Sequence, residues 1–415
     1  MIEYGQKPED FTILFLDMDA FFASVEQQVQ PNLREKPVGV APYIGNTGCV
    51  IAKSQQAKIY GVKTGCSVEQ AKAICPQIKI VQSRPALYYF YHQQIIKILE
   101  SHSPFLKILS IDEFKITLTG PDQNFKTALQ MAKAIKQDIT EKVGDYLTCS
   151  VGIGPNLFLA KVAAESKKPN TIAIVKLKDL ASFYQGLKLT DLTGINSKMA
   201  ANLKNIGIAT PFAFYSKTLP QLSRFLGHLG KVWFLQLRGY EIEQAYSATK
   251  TLGHSHVLAP QFRQYYQARK VLVKLCQKVA ARLRAGGFAA GGVCLTARFL
   301  ENKPYHSGWQ KVMKTAAFSD SQTLLSHALK LFQQIAKNKK ILYLSVTTFN
   351  LTQGRGVQIS LFANFEKSKA VSEALDKITD RFGAQAVFPA SMSGAQSSAP
   401  DRIPFGQPRY DIKNQ

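Results

Sequence analysis

A chain of 415 residues exceeds what one compact core sustains, so several domains are expected. Hydrophobic residues make up 46% and charged residues 19%, which excludes global disorder. The 52 Lys and Arg against 28 Asp and Glu leave a net charge of +24, and so strong an excess calls for a polyanionic partner, either nucleic acid or an anionic membrane. No apolar run approaches the roughly eighteen residues a membrane span needs, and the opening MIEYGQKPED is polar and acidic. Neither a span nor secretion is therefore expected, which favours nucleic acid and a cytoplasmic protein. The six cysteines (Cys49, Cys66, Cys75, Cys149, Cys276 and Cys294) include no CxxC pair and read as reduced thiols.

In chain order, residues 11–17 read as a buried strand and 20–29 as a helix following it directly. Residues 36–41 and 48–53 read as short strands around a Gly-Asn loop, and 69–76 as a short helix stopped by Pro76. A longer amphipathic helix is expected over 86–102 and a strand over 106–118. A helix (124–142), a strand (147–153) and a helix (156–166) complete an alternating block that predicts an α/β or α+β core. From about 177 to 245 the pattern is helical and loop-rich; a polar connector, EQAYSATKTLG, leads into a second α/β block ending near 350. The last stretch, from SMSGAQSS onward, is rich in Ser, Pro and Gly and reads as a mobile tail.

Two acidic clusters interrupt apolar strands: Asp17 and Asp19 in FLDMDAFFASVEQ, and Asp112 and Glu113 in LSIDEFKI. A carboxylate at the end of a buried strand is costly to desolvate unless a cation sits on it. Asp17, Asp112 and Glu113 could together hold two hard divalent cations, the arrangement that clamps the attacking and leaving oxygens of a phosphoryl transfer. Equally, the acids could pair with Lys or Arg across the sheet.

FLDMDAFFASVEQ, SIDEF and SVGIGPNLFLAKVAAESKKPN resemble, in order and spacing, the successive motifs of the Y-family DNA polymerases, and the likeness runs from about residue 11 to 350. The resemblance implies a multidomain α+β right hand. A ferredoxin-like palm would span 1–28 and 85–176, small fingers 29–84, and a helical thumb with a helix-hairpin-helix 177–245. A linker would follow at 246–252, an α/β little finger at 253–350, and a C-terminal tail with a clamp-binding peptide at 351–415. It also implies that Asp17, Asp112, Glu113 and the backbone carbonyl of Met18 hold two Mg²⁺ ions, and carries no ligand role onto Asp19. Phe22 matches the aromatic steric gate that excludes a 2′-hydroxyl, while Phe21 is left to packing. Lys168 matches a lysine on the incoming triphosphate, with Lys161 a weaker candidate.

The fingers depart from the family. Its Thr-x-x-Tyr-x-x-Arg pattern, aligned on Gly61-Val62, becomes Ala52, Gln55 and Lys58 here. Lys58 keeps the charge without the bidentate fork and Gln55 can still donate, so nucleotide binding is expected to be weaker or differently posed.

LTDLTGINSKMAANLKNIGI resembles a helix-hairpin-helix, whose turn at 192–196, through Gly194 and Ile195, would aim backbone N–H groups at a DNA phosphate, with Asn196 standing in for the second, left-handed glycine. Between Lys250 and Phe362 there are 17 Lys and Arg against two acids, Glu301 and Asp320. Lys270, Lys274, Lys278 and Arg282 fall four apart in a helical row that reads as a phosphate-tracking surface. QISLF resembles the peptide with which bacterial polymerases hook the sliding clamp, through Gln358, Leu361 and Phe362. The expectation is a monomeric translesion DNA polymerase acting on primer-template DNA and dNTPs. A non-catalytic DNA- and clamp-binding adaptor on the same scaffold is the main alternative, and a helix-hairpin-helix nuclease a third.

Overall fold

The structure, a computed structural model, describes residues 9–45, 48–242, 249–300, 308–353, 365–383 and 386–399. The chain divides into two units, the first covering described residues up to 242 and the second those from 249 to 399.

In the first unit β1 (Ile13–Met18) runs fully buried into α1 (Phe21–Val29). The corner between them is made by Ala20 at φ 50, a left-handed conformation costing about 1 kcal/mol for a residue with a Cβ. The next segment holds β2 (Val38–Ala41), β3 (Ala52–Lys53), α2 (Gln55–Ile59), α3 (Val68–Ile74) and β4 (Lys79–Gln82). β2 is central there, antiparallel to β3 and parallel to β4, a strand the sequence reading missed. The expected strand 48–53 shrinks to β3 preceded by a single bridge from Cys49 to Ser67.

α4 (Pro85–His102) then leads into β5 (Leu106–Ile108) and β6 (Glu113–Thr117), so the single strand expected over 106–118 is a hairpin. The Ser110 hydroxyl accepts the amides of Asp112 (3.3 Å) and Glu113 (3.0 Å), turning the chain within an apolar run that otherwise reads as continuous. α5 (Phe125–Lys142), β7 (Cys149–Gly154), α6 (Leu157–Ser166) and β8 (Ile172–Ile174) complete a five-stranded sheet of order β5-β6-β1-β7-β8. Gly152 lets α6 approach β7: a Cβ there would lie 1.8 Å from the carbonyl oxygen of Ala160.

Five further helices follow: α7 (Leu180–Gln185), α8 (Ser197–Asn205), α9 (Pro211–Tyr215), α10 (Leu219–Leu226) and α11 (His228–Gln236). They share a core around Tyr184, Leu203, Phe214 and Trp233 with one face of α6.

The second unit contains β9 (Thr251–Val257), α12 (Tyr265–Ala285), β10 (Phe288–Phe299), β11 (Gly308–Phe318), α13 (Ser321–Phe332), β12 (Ile341–Gln353) and α14 (Phe365–Phe382). Its antiparallel sheet has the order β11-β10-β12-β9. Val293, Leu295 and Ala297 on β10 and Leu344 and Val346 on β12 pack with α12 and α13 in one core. The opposite face carries Thr296, Arg298 and Val312, the last 56% exposed.

The C-terminal tail is corrected in part. Residues 351–353 finish β12, and 365–382 are helical. Residues 386–399 pack Met392, Ala395 and Ala399 into the core beside α12. Gln358, Leu361 and Phe362, the expected clamp peptide, lie outside the described residues.

Candidate active site

Register brings two of the acids to one face. Asp17 and Glu113 are direct partners across the antiparallel β1–β6 pair, so their side chains emerge on the same face. Asp112 precedes the strand, in the turn, which frees it from strict alternation; its carbonyl accepts the Met18 amide at 2.9 Å. Asp17 and Asp112 form part of the lining of a cavity of about 310 Å³, with Met18, Phe22, Lys53, Gln55, Lys58, Thr64 and Lys168.

The three carboxylates turn to separate partners. Lys168 Nζ lies 2.7 Å from Asp17, and Lys161 Nζ donates to both oxygens of Glu113 at 2.7 and 2.9 Å. Ser110 Oγ donates to Asp112 at 2.6 Å. Among the described residues no three Asp, Glu, His or Cys side chains are gathered as a metal-ligating group. Asp17 and Glu113 share a face with Asp112 in the adjoining turn, and lysines pair with two of the three, as the ion-pair reading of the sequence allowed.

Lys168 does not offset the burial of Asp17. Burial pushes Asp17 up to about 7 despite the opposing pull of Lys168, and the charges of Asp112 and Glu113 push the same way. Asp112 is also raised, first by burial and further by Glu113, while Ser110 pulls it down. A buried carboxylate with two half-buried ones beside it is a set of hard oxygen donors that fits a divalent cation, which would neutralise what a monovalent ammonium leaves uncompensated.

Asp19 has a different task. Buried to 1% exposure, it accepts Thr148 Oγ1 (3.0 Å), Ser150 Oγ (2.8 Å) and the Asn170 amide (2.8 Å). It therefore fastens the loop carrying Lys168 to β1 and β7.

Phe21 and Phe22, in the first turn of α1, are both buried in the core and both contribute to the cavity lining. Gln55 and Lys58 on α2 also line the cavity, with Ala52 at the end of β3. Sequence reasoning missed Lys53 and Thr64. Lys53 Nζ donates to Thr64 Oγ1 at 3.3 Å, and burial, then the charge of Lys58, lowers its pKa. Three lysines thus share the cavity with three acids, Asp17, Asp19 and Asp112, so that it offers both anion-binding and cation-binding groups.

The expected DNA contacts fare unevenly. Gly194 takes φ 92 as a hairpin turn requires. Ile195 is 4% exposed and its amide is spent on the Leu192 carbonyl at 3.0 Å. Asn196 is at φ −83, not left-handed, and its side chain caps α8 through the Met199 amide at 2.9 Å. The basic row on α12 is covered. Lys274 donates to the carbonyls of Gln396 and Ser398, Lys278 to Ala399 (2.6 Å) and Arg282 to Gly253 (2.6 Å). Lys270 lies beside Gly394. The row is a rail for backbone carbonyls, where an open phosphate track was expected.

Among the described residues no helix is long and apolar enough to cross a membrane. Residues 16–165 match the impB/mucB/samB family and residues 249–361 its C-terminal domain. DNA polymerase IV of Pelotomaculum thermopropionicum is 30% identical over 383 residues, covering 91% of this chain and 94% of that protein. The Moorella thermoacetica DNA polymerase IV is 30% identical over 396 residues, covering 93% and 97%. Among solved structures, a Y-family DNA polymerase chimera built on Dbh superposes with a TM-score of 0.68 at 24% identity, covering 82% of this chain and 99% of that one. An insertion ternary complex of Dbh DNA polymerase gives 0.53 at 25% identity, with the same coverage. An acidic corner at the edge of a cavity that lysines also line, on a fold shared with these enzymes and in a sequence aligned along nearly its whole length, leads to one conclusion: the chain belongs to the impB/mucB/samB family of Y-family polymerases and is a DNA-directed DNA polymerase.

Proposed function

We propose that this polymerase extends a primer across damaged template bases, joining a primer 3′-hydroxyl to the α-phosphate of a dNTP with release of pyrophosphate. The observation carrying the reading is the corner where Asp17 faces Glu113 across β1–β6 with Asp112 in the adjoining turn, beside a cavity lined by Lys53, Lys58 and Lys168. Asp17, Asp112, Glu113 and the Met18 carbonyl would hold two Mg²⁺ ions, which when bound activate the hydroxyl and neutralise charge on the phosphates.

The protein's own side chains do the rest. Lys53, Lys58 and Lys168 attract and orient the triphosphate, and Gln55 and Thr64 add neutral hydrogen-bonding groups. Phe22 presses against the sugar and leaves no room for a 2′-hydroxyl. Lys161 and Lys168 hold the carboxylates in place by charge until a divalent cation and substrate compete for them. Asp19 fixes the Lys168 loop.

We read the sheet unit around β1 as the palm, the β2–β4 segment as the fingers, α7–α11 as the thumb and the second unit as the little finger. The sheet face bearing the exposed Arg298 is a better candidate for duplex contact than the row on α12, where Lys274, Lys278 and Arg282 already have carbonyl partners. The clamp peptide at Gln358, Leu361 and Phe362 remains part of the proposal on sequence alone.

The test is primer extension with Mg²⁺ on undamaged and lesion-bearing templates. Elongation by the parent on both, and none by Asp112→Ala, supports the reading. A parent that binds DNA without extending it favours the adaptor, and shortened products favour a nuclease.

A further inference from the structure

The ring of Phe22 does not stand alone. Tyr88, from the first turn of α4, stacks on it with ring centroids 4.4 Å apart and planes 13° from parallel. Tyr88 is 1% exposed, and its hydroxyl donates to Glu26 Oε1 at 2.7 Å. Glu26 is fully buried and sits four residues after Phe22 on α1, one helical turn along the same face. Its carboxylate also receives Arg84 Nε at 3.1 Å, Arg84 Nη2, and Gln30 Nε2 at 3.1 Å. One tyrosine therefore touches α1 twice, by its face on Phe22 and by its hydroxyl on Glu26, and Arg84, one turn before it in the chain, clamps the same carboxylate.

A buried carboxylate is an expensive group to keep without a purpose. Here it locks the hydroxyl of Tyr88, and a locked hydroxyl fixes where the ring plane lies. The parallel stack transmits that position to Phe22, which lines the cavity. We infer that Tyr88, anchored by Glu26 and Arg84, is the positioning residue that sets how far the Phe22 ring projects into the cavity, and thereby how strongly ribonucleotides are refused. The inference rests on the reading of Phe22 as the sugar gate and extends it to a supporting shell. Phe22 supplies the excluded volume; Tyr88 stops the ring from retreating when a 2′-hydroxyl pushes on it.

Steady-state insertion of one dNTP or its rNTP counterpart on a primed template, with Mg²⁺, tests it through the ratio of the two kcat/KM values. A merely structural role lowers both and leaves the ratio unchanged. Phe22→Ala should admit ribonucleotides. Tyr88→Leu should lower the discrimination by about tenfold, chiefly by lowering KM for the rNTP. Tyr88→Phe, which keeps the stacking face, should restore most of the ratio. Phe22→Ala/Tyr88→Leu should match Phe22→Ala alone, because with no ring left there is nothing to position. Arg84→Gln, at a half-exposed position, should lower the ratio by about threefold and serves if Tyr88→Leu does not fold. An unchanged ratio in whichever variant folds, beside a Phe22→Ala that has lost discrimination, overturns the inference and leaves the gate standing. Unchanged discrimination in Phe22→Ala removes both.

Discussion

Gly152→Ala is the smallest change that should damage both fold and chemistry. Gly152 lies in the middle of β7 against α6, and an added Cβ would sit 1.8 Å from the Ala160 carbonyl oxygen, 2.8 Å from its carbon and 2.9 Å from the Ala164 amide nitrogen. All three are backbone atoms of one helix, so no side chain can swing aside. Restoring ordinary contact requires α6 to withdraw by about 1.5 Å, opening the layer where Ala160 and Ala164 pack with Ile13 and Phe15 of β1. Overpacking against flexible side chains costs about 1–3 kcal/mol, and rigid backbone puts this case at or above that range. The first unit should melt about 6–12 °C lower. The same helix carries Lys161, whose 2.7 and 2.9 Å contacts to Glu113 would stretch out of hydrogen-bond range. A 1 Å misplacement of a positioning group can lower the rate by about a hundredfold, so primer extension measured well below the melting temperature should fall by that order. Gly154→Ala is the control: on the same strand, against the same helix, its Cβ would meet nothing closer than 3.3 Å. Its effect should stay below about 1 kcal/mol. Circular dichroism melts and extension assays on both variants decide the matter. Equal effects at 152 and 154, or a stable and active Gly152→Ala, would refute the claim that this close approach sets the position of α6.

Arg84→Met leaves Glu26 buried with only Tyr88 and Gln30 as donors; because Arg84 is itself 43% exposed, the loss in denaturant unfolding should be about 2–3 kcal/mol, the low end for a broken buried pair, and adding Glu26→Leu should recover most of it. His92 is fully buried, stacked on Phe114 and bonded through Nδ1 to the Ile111 carbonyl; burial lowers its pKa, that bond opposing it. A base held neutral in the fold binds fewer protons than in the unfolded chain, so its contribution is fully present above pH 6.5 and is lost as pH falls from there through the folded-state value. A pH series of melting temperatures should therefore show a shallower acid-side fall in His92→Leu than in the parent, and parallel curves would count against it. Ending the chain after residue 385 removes Met392, Ala395 and Ala399 from the second unit's core and should lower that unit's stability by roughly 3–5 kcal/mol, read as an earlier calorimetric transition. An unaltered transition would mean that the segment merely rests on α12.

How much of this was legible depended on range. β1, α1, α4, α5 and α6 follow from local periodicity, and the acids announced themselves because carboxylates in an apolar run demand a partner. The β5–β6 hairpin was hidden because LKILSIDEFKITL alternates well enough for one strand; only Ser110 bonding forward to two amides reveals the turn. β4 is four residues long and is defined by its parallel pairing with β2, which no local pattern encodes. The basic row on α12 was read as an open one because the carbonyls on Lys274 and Lys278 come from residues more than 120 positions later, and the one on Arg282 from a strand 29 positions earlier. Lys53 went unnoticed for the same reason: its neighbours in sequence are unremarkable, and its meaning comes from Lys58 and the cavity wall.

The lysines on the acidic corner bear on why such a site folds at all. Asp17, Asp112 and Glu113 repel one another, and burial raises the penalty on the ionised forms of Asp17 and Asp112. A chain that relied on a metal ion to offset this while folding would have to meet the ion first. Lys161 and Lys168 relieve part of the repulsion from within, one bidentate on Glu113 and the other on Asp17, so the corner can assemble before any ligand arrives. They relieve only part of it, since Asp17 stays near 7 with Lys168 beside it. That remainder is a standing preference for a second, denser positive charge. The same arrangement explains why two lysines sit where a static drawing would place metal ligands' neighbours: an ammonium on a flexible stem can yield to a divalent ion and turn to phosphate, which a guanidinium locked in a bidentate fork does less readily.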